Sequence, residues 1–339
     1  MSKQKVELLS PAGNLEKLKI AINYGADAVY GGVSHFSLRI RASKEFTFET
    51  FKEGIDYAHE RGKKVYATIN GFPFNSQIEL LKTHIKKMAE LKPDAFIVAA
   101  PGVVRLCREI APQIDIHLST QANVLNYLDA QVFWDMGVKR IVVAREISLK
   151  DVMEIKKHLP DMEIEIFVHG SMCFAYSGRC LISAVQMGRV PNRGSCANDC
   201  RFEYTLYAGN DEHGSLFRLE EEPGVGTYIF NSKDMNLASH IQEILDSGAV
   251  DSLKIEGRTK SPYYAAVTAK AYREAIDDYY AGKFEPEKYQ KELHTTKNRG
   301  FTDAYLIHKP FEKTESQNHD YALSKGSYEV TGLVTEDEH

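Results

Sequence analysis

Short apolar runs and amphipathic stretches alternate along the first 170 residues. Strand-like runs fall at Val6–Ser10, Ala28–Gly31, Lys64–Asn70, Ala95–Ala99, Asp115–Thr120, Arg140–Arg145 and Glu163–His169. Between them, apolar residues recur at three- and four-residue spacing and predict helices over Leu15–Tyr24, Phe48–Arg61, Gln77–Leu91, Val103–Ile110, Tyr127–Met136 and Leu149–His158. Gly25, Gly62 and Gly137 each follow a helical pattern, where a terminating glycine is expected. Strands alternating with helices imply a parallel sheet. Ser252–Glu256 reads as an eighth strand and Tyr263–Tyr280 as the helix after it. The expectation is a (β/α)8 barrel over residues 1–281, interrupted after strand 7 by a cysteine-rich insertion at 171–226. An open doubly wound sheet has the same periodicity, but eight units with no reversal favour closure. Residues 282–339 form a C-terminal extension. In it Asn298–Leu306 reads as a turn packed back on the barrel, and Ser327–Val334 as a lone strand. A lone strand cannot bury itself, so the chain is expected to lead toward a small β domain that is missing or truncated.

Strand parity refines the barrel. In EIEIFVHG, Ile164, Ile166 and Val168 oppose Glu163, Glu165, Phe167 and His169. In SLKIEGR, Leu253 and Ile255 oppose Lys254, Glu256 and Arg258. If the apolar faces meet the helices, the barrel interior is polar at several strands. Buried charge survives only when paired, so an interior ion network is one reading of these residues. Barrel sites sit at the C-terminal strand ends. That makes Asn70, Gln121, His169 and Glu256 catalytic candidates. Arg145 and Arg258, with Arg39 and Arg41 of the loop after strand 2, are candidates to clamp a carboxylate or phosphate. Each of these could equally cap a loop or face solvent.

Composition narrows the class. The chain has 43% hydrophobic and 26% charged residues and a net charge of −5. That excludes a generally basic nucleic-acid-coating protein but permits a local basic site. No apolar run reaches the ~18–20 residues that span a bilayer, and MSKQKVELLSPAG has no apolar segment of the secretory kind. The expected compartment is the cytoplasm, with no membrane partner.

Four of the five cysteines, Cys173, Cys180, Cys196 and Cys200, fall within one short segment. Cys107 lies apart in a helical pattern and reads as an inert buried thiol. In a reducing compartment a disulfide framework is not expected, whereas four thiolates suit tetrahedral zinc or an iron–sulfur cluster. The spacing C-x6-C-x15-C-x3-C differs from the paired knuckles of common zinc sites. Gly178, Gly188 and Gly194 let the chain wrap something larger than one ion, which favours iron–sulfur over zinc. The segment also lacks the apolar periodicity to fold by packing alone, and metal–thiolate bonds would hold it. Arg179, Arg189, Arg193 and Arg201 stand there against one acid, Asp199, a local charge of +3. With Phe174, Tyr176 and Phe202 they form a candidate RNA-contact edge. The alternative is that the arginines neutralise an anionic cluster or cap local carbonyls.

The stretch EIEIFVHGSMCFAYSGRCLIS resembles the signature of the collagenase-like peptidase family of unassigned catalytic type, U32. ELLSPAGNLEKLKIAINYGADAVYGG, HLSTQANVLN, YIFNSKDM, SLKIEGRTKSPYY and NRGFTDAYL resemble it in order, over about residues 5–310. Within that family the chain is most similar to the bacterial branch of prephenate-dependent tRNA hydroxylation, which makes 5-hydroxyuridine at the wobble position. A related branch works in oxygen-independent ubiquinone hydroxylation. The resemblance implies a [4Fe–4S] cluster on Cys173, Cys180, Cys196 and Cys200, prephenate as co-substrate, tRNA as partner, and a small C-terminal β domain. A paralogous or electron-donor protein is a further candidate partner.

The family label and this branch make different chemical demands. A cysteine peptidase needs a thiolate beside a histidine, and His169 lies four residues before Cys173. Neither G-x-S-x-G nor H-E-x-x-H is present. Hydroxylation needs a redox centre, a small-molecule site and RNA access, and this is the favoured reading. The collagenase-like peptidase is the first alternative. A non-catalytic cluster-bearing scaffold that only presents tRNA or prephenate is the second.

Overall fold

Eight parallel strands close on themselves in the computed structural model. They are β1 (Glu7–Pro11), β2 (Ala28–Gly31), β3 (Lys64–Ile69), β4 (Ala95–Val98), β5 (Asp115–Leu118), β6 (Arg140–Val142), β7 (Glu163–Ser171) and β8 (Ser252–Ile255). The described residues are 5–33, 36–37, 46–210, 214–218, 230–310, 313–318, 321, 323–324, 326 and 328. Closure is made by β8, which pairs in parallel with β1 (Ser252 opposite Glu7) and with β7 (Ser252 opposite Glu165). The expected barrel is therefore the observed one, and the open sheet is excluded.

The helices start where side chains can satisfy their free N–H groups. Asn14, Asn126, Ser148 and Ser261 each accept a hydrogen bond from a backbone N–H in the first turn, and Thr47 and Thr50 form a reciprocal cap. Leu149–His158 matches expectation residue for residue, and the other predicted helices differ by a residue or two at their ends. The outward strand residues Ile164, Ile166, Leu253 and Ile255 are buried beneath the helices, as parity requires. Cys107 is buried among them, and burial pushes its thiol up to about 12, so it is inert.

Several elements escaped the sequence pattern. Asp234–Asn236 pairs antiparallel with the end of β7, and Phe301–Thr302 pairs in parallel with Asp234–Asn236. The turn at Asn298–Leu306 thus does pack on the barrel, with Ala304 and Leu306 in the core. The helix Ile241–Asp246 covers the step between β7 and β8 with Ile241 and Ile244 buried. Its six residues are too few for a readable period. Tyr207–Asn210 and Ser215–Arg218 form a separate hairpin. The expected strand at Ser327–Val334 lies outside the described residues, Tyr328 excepted. Among the described residues no helix is long and apolar enough to cross a membrane.

The barrel interior is polar, and its charges are paired. Arg140 Nη1 lies 2.5 Å from Glu7 Oε1 and 3.1 Å from Glu165 Oε2, and Nη2 lies 2.7 Å from Glu163 Oε2. Lys254 Nζ lies 2.7 Å from Glu165 Oε1. Tyr66 Oη donates to Glu7 Oε2 at 2.7 Å. Burial alone would raise the Glu165 carboxyl, but the Lys254 and Arg140 charges outweigh it and hold the group below its ordinary value. Around this network sit Leu9, Ala28, Tyr30, Ala95 and Ile97.

Arg140 is the hub, because it touches carboxylates from β1 and β7 at once. Arg140→Met should cost about 3–5 kcal/mol of unfolding free energy in urea, since it leaves buried carboxylates unpaired. A loss below about 1 kcal/mol, the size of an exposed pair, would refute that role.

Candidate metal centre and substrate cavity

A cavity of about 360 Å³ opens at the C-terminal end of the barrel strands. Asn70, Gln121, Arg145, Glu256 and Arg258 line it, as do all four clustered cysteines. Deeper within the strands it is lined by Tyr30, Phe167 and Lys254, and near the cysteines by Arg201 and Arg299. Tyr30, Lys254 and Arg299 were not singled out as site residues. Lys254 had a signal, its inward parity on β8; Tyr30 had none, because β2 is apolar throughout.

His169 is not part of this cavity's lining, which corrects its candidacy. The pairing of β7 with β8 shifts register between Lys254 and Ile255, so that Phe167 faces Lys254 and His169 faces Ile255. This irregularity breaks the alternation that would have kept His169 with Glu165 and Phe167. The imidazole instead packs against Tyr264, Tyr272 and Phe301, with Nδ1 3.4 Å from Tyr272 Oη. Burial, helped by Lys260 and His294, pushes its pKa down to about 3. Arg39 and Arg41 lie outside the described residues.

The two remaining clamp candidates are already engaged. Arg258 Nη1 donates to Ser37 Oγ at 2.7 Å and to Thr68 Oγ1 at 3.1 Å, which ties β8 to the β2–β3 side of the mouth. Arg145 lies on the loop after β6, beyond the three-residue strand, and its guanidinium sits 3.9 Å over the Phe167 ring. Its Nη1 donates to Ser177 Oγ at 2.6 Å. Ser177 lies between Cys173 and Cys180, so Arg145 fastens the cysteine segment to the barrel.

Three of the four candidate RNA-contact arginines also hold this segment in place. Arg201 donates to the Met172 carbonyl, to the Ser232 carbonyl at 2.5 Å and to Asn231 Oδ1 at 3.2 Å. It is a strut rather than a surface residue, a correction to its assignment. Arg189 Nη2 reaches the Cys196 carbonyl at 3.4 Å, the carbonyl-capping alternative. Arg193 stacks 4.0 Å over Phe74 and donates to Gln77 Oε1 at 3.1 Å, stitching the segment to the loop after β3. Arg179 is exposed.

The four thiols are free, Cys173 exposed and the others half-buried. Burial raises the Cys200 thiol, Arg201 opposes that, and Cys173, Cys196 and Cys180 raise it further. All four line the same cavity. Among the described residues no three His, Cys, Asp or Glu side chains cluster tightly enough to hold a single metal ion. Gly178 closes over Gln121: with φ of +76° it adopts the left-handed conformation, and a Cβ there would stand 3.0 Å from Gln121 Cγ. Gln121 Nε2 is buried without a partner, and in the cysteine segment so are Arg189 Nε, Asn192 Oδ1 and both Asp199 carboxylate oxygens.

A closed eight-stranded barrel with a polar, cysteine-ringed cavity at its C-terminal strand ends is the architecture of an α/β-barrel protein with a single composite site. The chain belongs to peptidase family U32, whose sequence pattern matches residues 13–316. It is 71% identical over 333 residues to "tRNA hydroxylation protein P" of Helicobacter pylori, covering 98% of this chain and 79% of that protein. The protein of the same name from Escherichia coli is 41% identical, with 94% of this chain and 78% of that one covered. The "23S rRNA 5-hydroxycytidine C2501 synthase" of Escherichia coli is 35% identical over 82% of this chain and 40% of that protein.

Two outcomes follow from this geometry. A buried neutral histidine takes no proton in the folded state, whereas the unfolded chain takes one below its ordinary value of 6.5. Stability conferred by His169 is thus complete above that value and is lost as pH falls toward 3. Unfolding free energy should drop by about 1.4 kcal/mol per pH unit from this residue between pH 6 and 4, and His169→Phe should remove that slope. Second, Arg145→Ala should raise amide exchange across residues 173–180 by roughly 10-fold or more while the barrel strands keep their protection. Unchanged exchange would mean that Ser177 is held by other contacts.

Proposed function

We propose that this chain takes part in the prephenate-dependent hydroxylation of wobble uridine in tRNA, giving 5-hydroxyuridine, as a protein that carries a [4Fe–4S] cluster. The observation that carries the reading is the convergence of Cys173, Cys180, Cys196 and Cys200 on one cavity, in a chain 71% identical to a tRNA hydroxylation protein. The donor set suits the group. Four thiols line one cavity, a donor set that an iron–sulfur cluster or a tetrahedral zinc can take. The iron–sulfur cluster is the favoured occupant, and zinc is the lesser alternative. When bound, such a cluster supplies one-electron transfer.

The chain's own residues have separate tasks. Arg145, Ser177, Arg193 and Arg201 hold the cysteine segment over the barrel mouth. Arg145 and Arg258 give the cavity a positive side suited to the carboxylates of prephenate. Asn70, Gln121 and Glu256, the catalytic candidates, line the same cavity. Arg179 and the exposed Phe174 and Tyr176 offer RNA a cation and two aromatic faces. The cytoplasm, where tRNA is modified, is the matching compartment, and a paralogous or electron-donor protein is a candidate partner.

The peptidase reading lacks its dyad. His169 is enclosed by aromatic rings, and no hydrogen bond joins a histidine to a thiol among the described residues. A scaffold that presents tRNA or prephenate without turning over shares the same cavity, and only activity separates it.

Protein purified without oxygen should contain about four iron and four sulfide per chain and absorb broadly near ~400 nm. Cys196→Ala should lose most of that iron and fail to restore 5-hydroxyuridine to the tRNA of a deletion strain that the wild type restores. One equivalent of zinc in colourless protein would sink the redox reading. Metal-independent gelatin cleavage abolished by Cys173→Ala would establish the peptidase. Restoration by Cys196→Ala would make the centre dispensable.

A further inference from the structure

We propose that Gln121 is the residue that reads the base: its side-chain amide donates to the C4 carbonyl of a uracil turned out of the RNA into the barrel cavity. The inference rests on the tRNA reading above and assigns the determinant of base recognition within it.

Gln121 sits at the C-terminal end of β5 in the short turn Thr120–Ala122 and is only 3% exposed. It is held on both sides. Ser119 Oγ donates to its Oε1 at 3.0 Å, and Asn123 Nδ2 donates to its backbone carbonyl at 2.9 Å. With Oε1 on the Ser119 hydroxyl, Nε2 is the remaining end of the amide. That nitrogen is buried and has no hydrogen-bond partner, on a residue that lines the cavity. A buried donor without an acceptor is costly, and native chains retain one chiefly where a ligand completes it.

The chemistry of the vacant bond selects the ligand. An anion would be drawn to the guanidinium groups of Arg145 and Arg258, whereas one neutral N–H suits one neutral carbonyl. Uracil presents such a carbonyl at C4, next to C5, the carbon that gains oxygen in 5-hydroxyuridine. The amide also lies beneath the cysteine segment: a Cβ on Gly178 would stand 3.3 Å from Nε2. A base bound through C4 would therefore have C5 under that segment. A cavity of about 360 Å³ has room for a pyrimidine ring, and enzymes acting on RNA bases commonly take them out of the stack.

The test compares three anticodon stem-loops, carrying uridine, the pyrimidin-2-one ribonucleoside (which lacks the C4 oxygen) or an abasic site at the wobble position. Affinity of the anaerobically purified full chain is read by fluorescence anisotropy. Wild type should bind the uridine stem-loop about 3- to 10-fold more tightly than the pyrimidin-2-one one, the size of one neutral hydrogen bond. Gln121→Leu should erase that difference while binding the abasic stem-loop as wild type does, with iron content unchanged. Equal weakening on all three RNAs would make Gln121 a structural prop and overturn the proposal. So would a wild type that does not distinguish the two bases. If wild type binds none of the stem-loops, the tRNA reading itself fails and takes this inference with it.

Discussion

The Arg140 guanidinium, bridged to Glu7, Glu163 and Glu165, is the interaction on which the rest of the molecule leans. It joins β1, β6 and β7, and Glu165 passes the connection to Lys254 on β8, the closing strand. An apolar barrel core would need no such partner set. Here the strands turn carboxylates inward, and closure is possible only because each meets a cation at hydrogen-bond distance. The result is a barrel whose polar interior runs from the charge network up to the cavity, with Lys254 belonging to both.

At the mouth the structure departs from regular alternation. The shift of register beside Phe167 and His169 turns one residue inward and the next polar one outward. Phe167 then becomes the platform under Arg145, and His169 becomes packing for Tyr272. A single irregularity thus removes a histidine from the thiols and supplies the surface that carries the anchor of the cysteine segment.

That segment is held mostly by arginines bonding to backbone carbonyls and hydroxyls, with little apolar packing. Leu181, and Val185 and Met187 of the short helix Ile182–Met187, remain exposed. The local positive charge that reads as an RNA-binding edge is largely spent on internal struts, through Arg189, Arg193 and Arg201. Polar atoms of Asp199, Asn192 and Gln121 are left without a protein partner in the same region.

The sequence by itself determined the eight strands, their helices and the inward polar parity of β7 and β8, because these are local periodicities of two and 3.6 residues. It also marked the four cysteines, and the positions Asn70, Gln121, Arg145 and Arg258, by their place at strand ends. Tertiary structure alone decided which of these meet. His169 was lost to an irregularity in strand pairing, which no single strand's pattern encodes. Arg201 was lost to carbonyls about 30 residues away in the chain. Tyr30 and Arg299 entered the cavity through strand closure and the returning C-terminal turn, both products of long-range pairing. Local spacing fixes which face a side chain takes, but its partner depends on where the rest of the chain comes to lie.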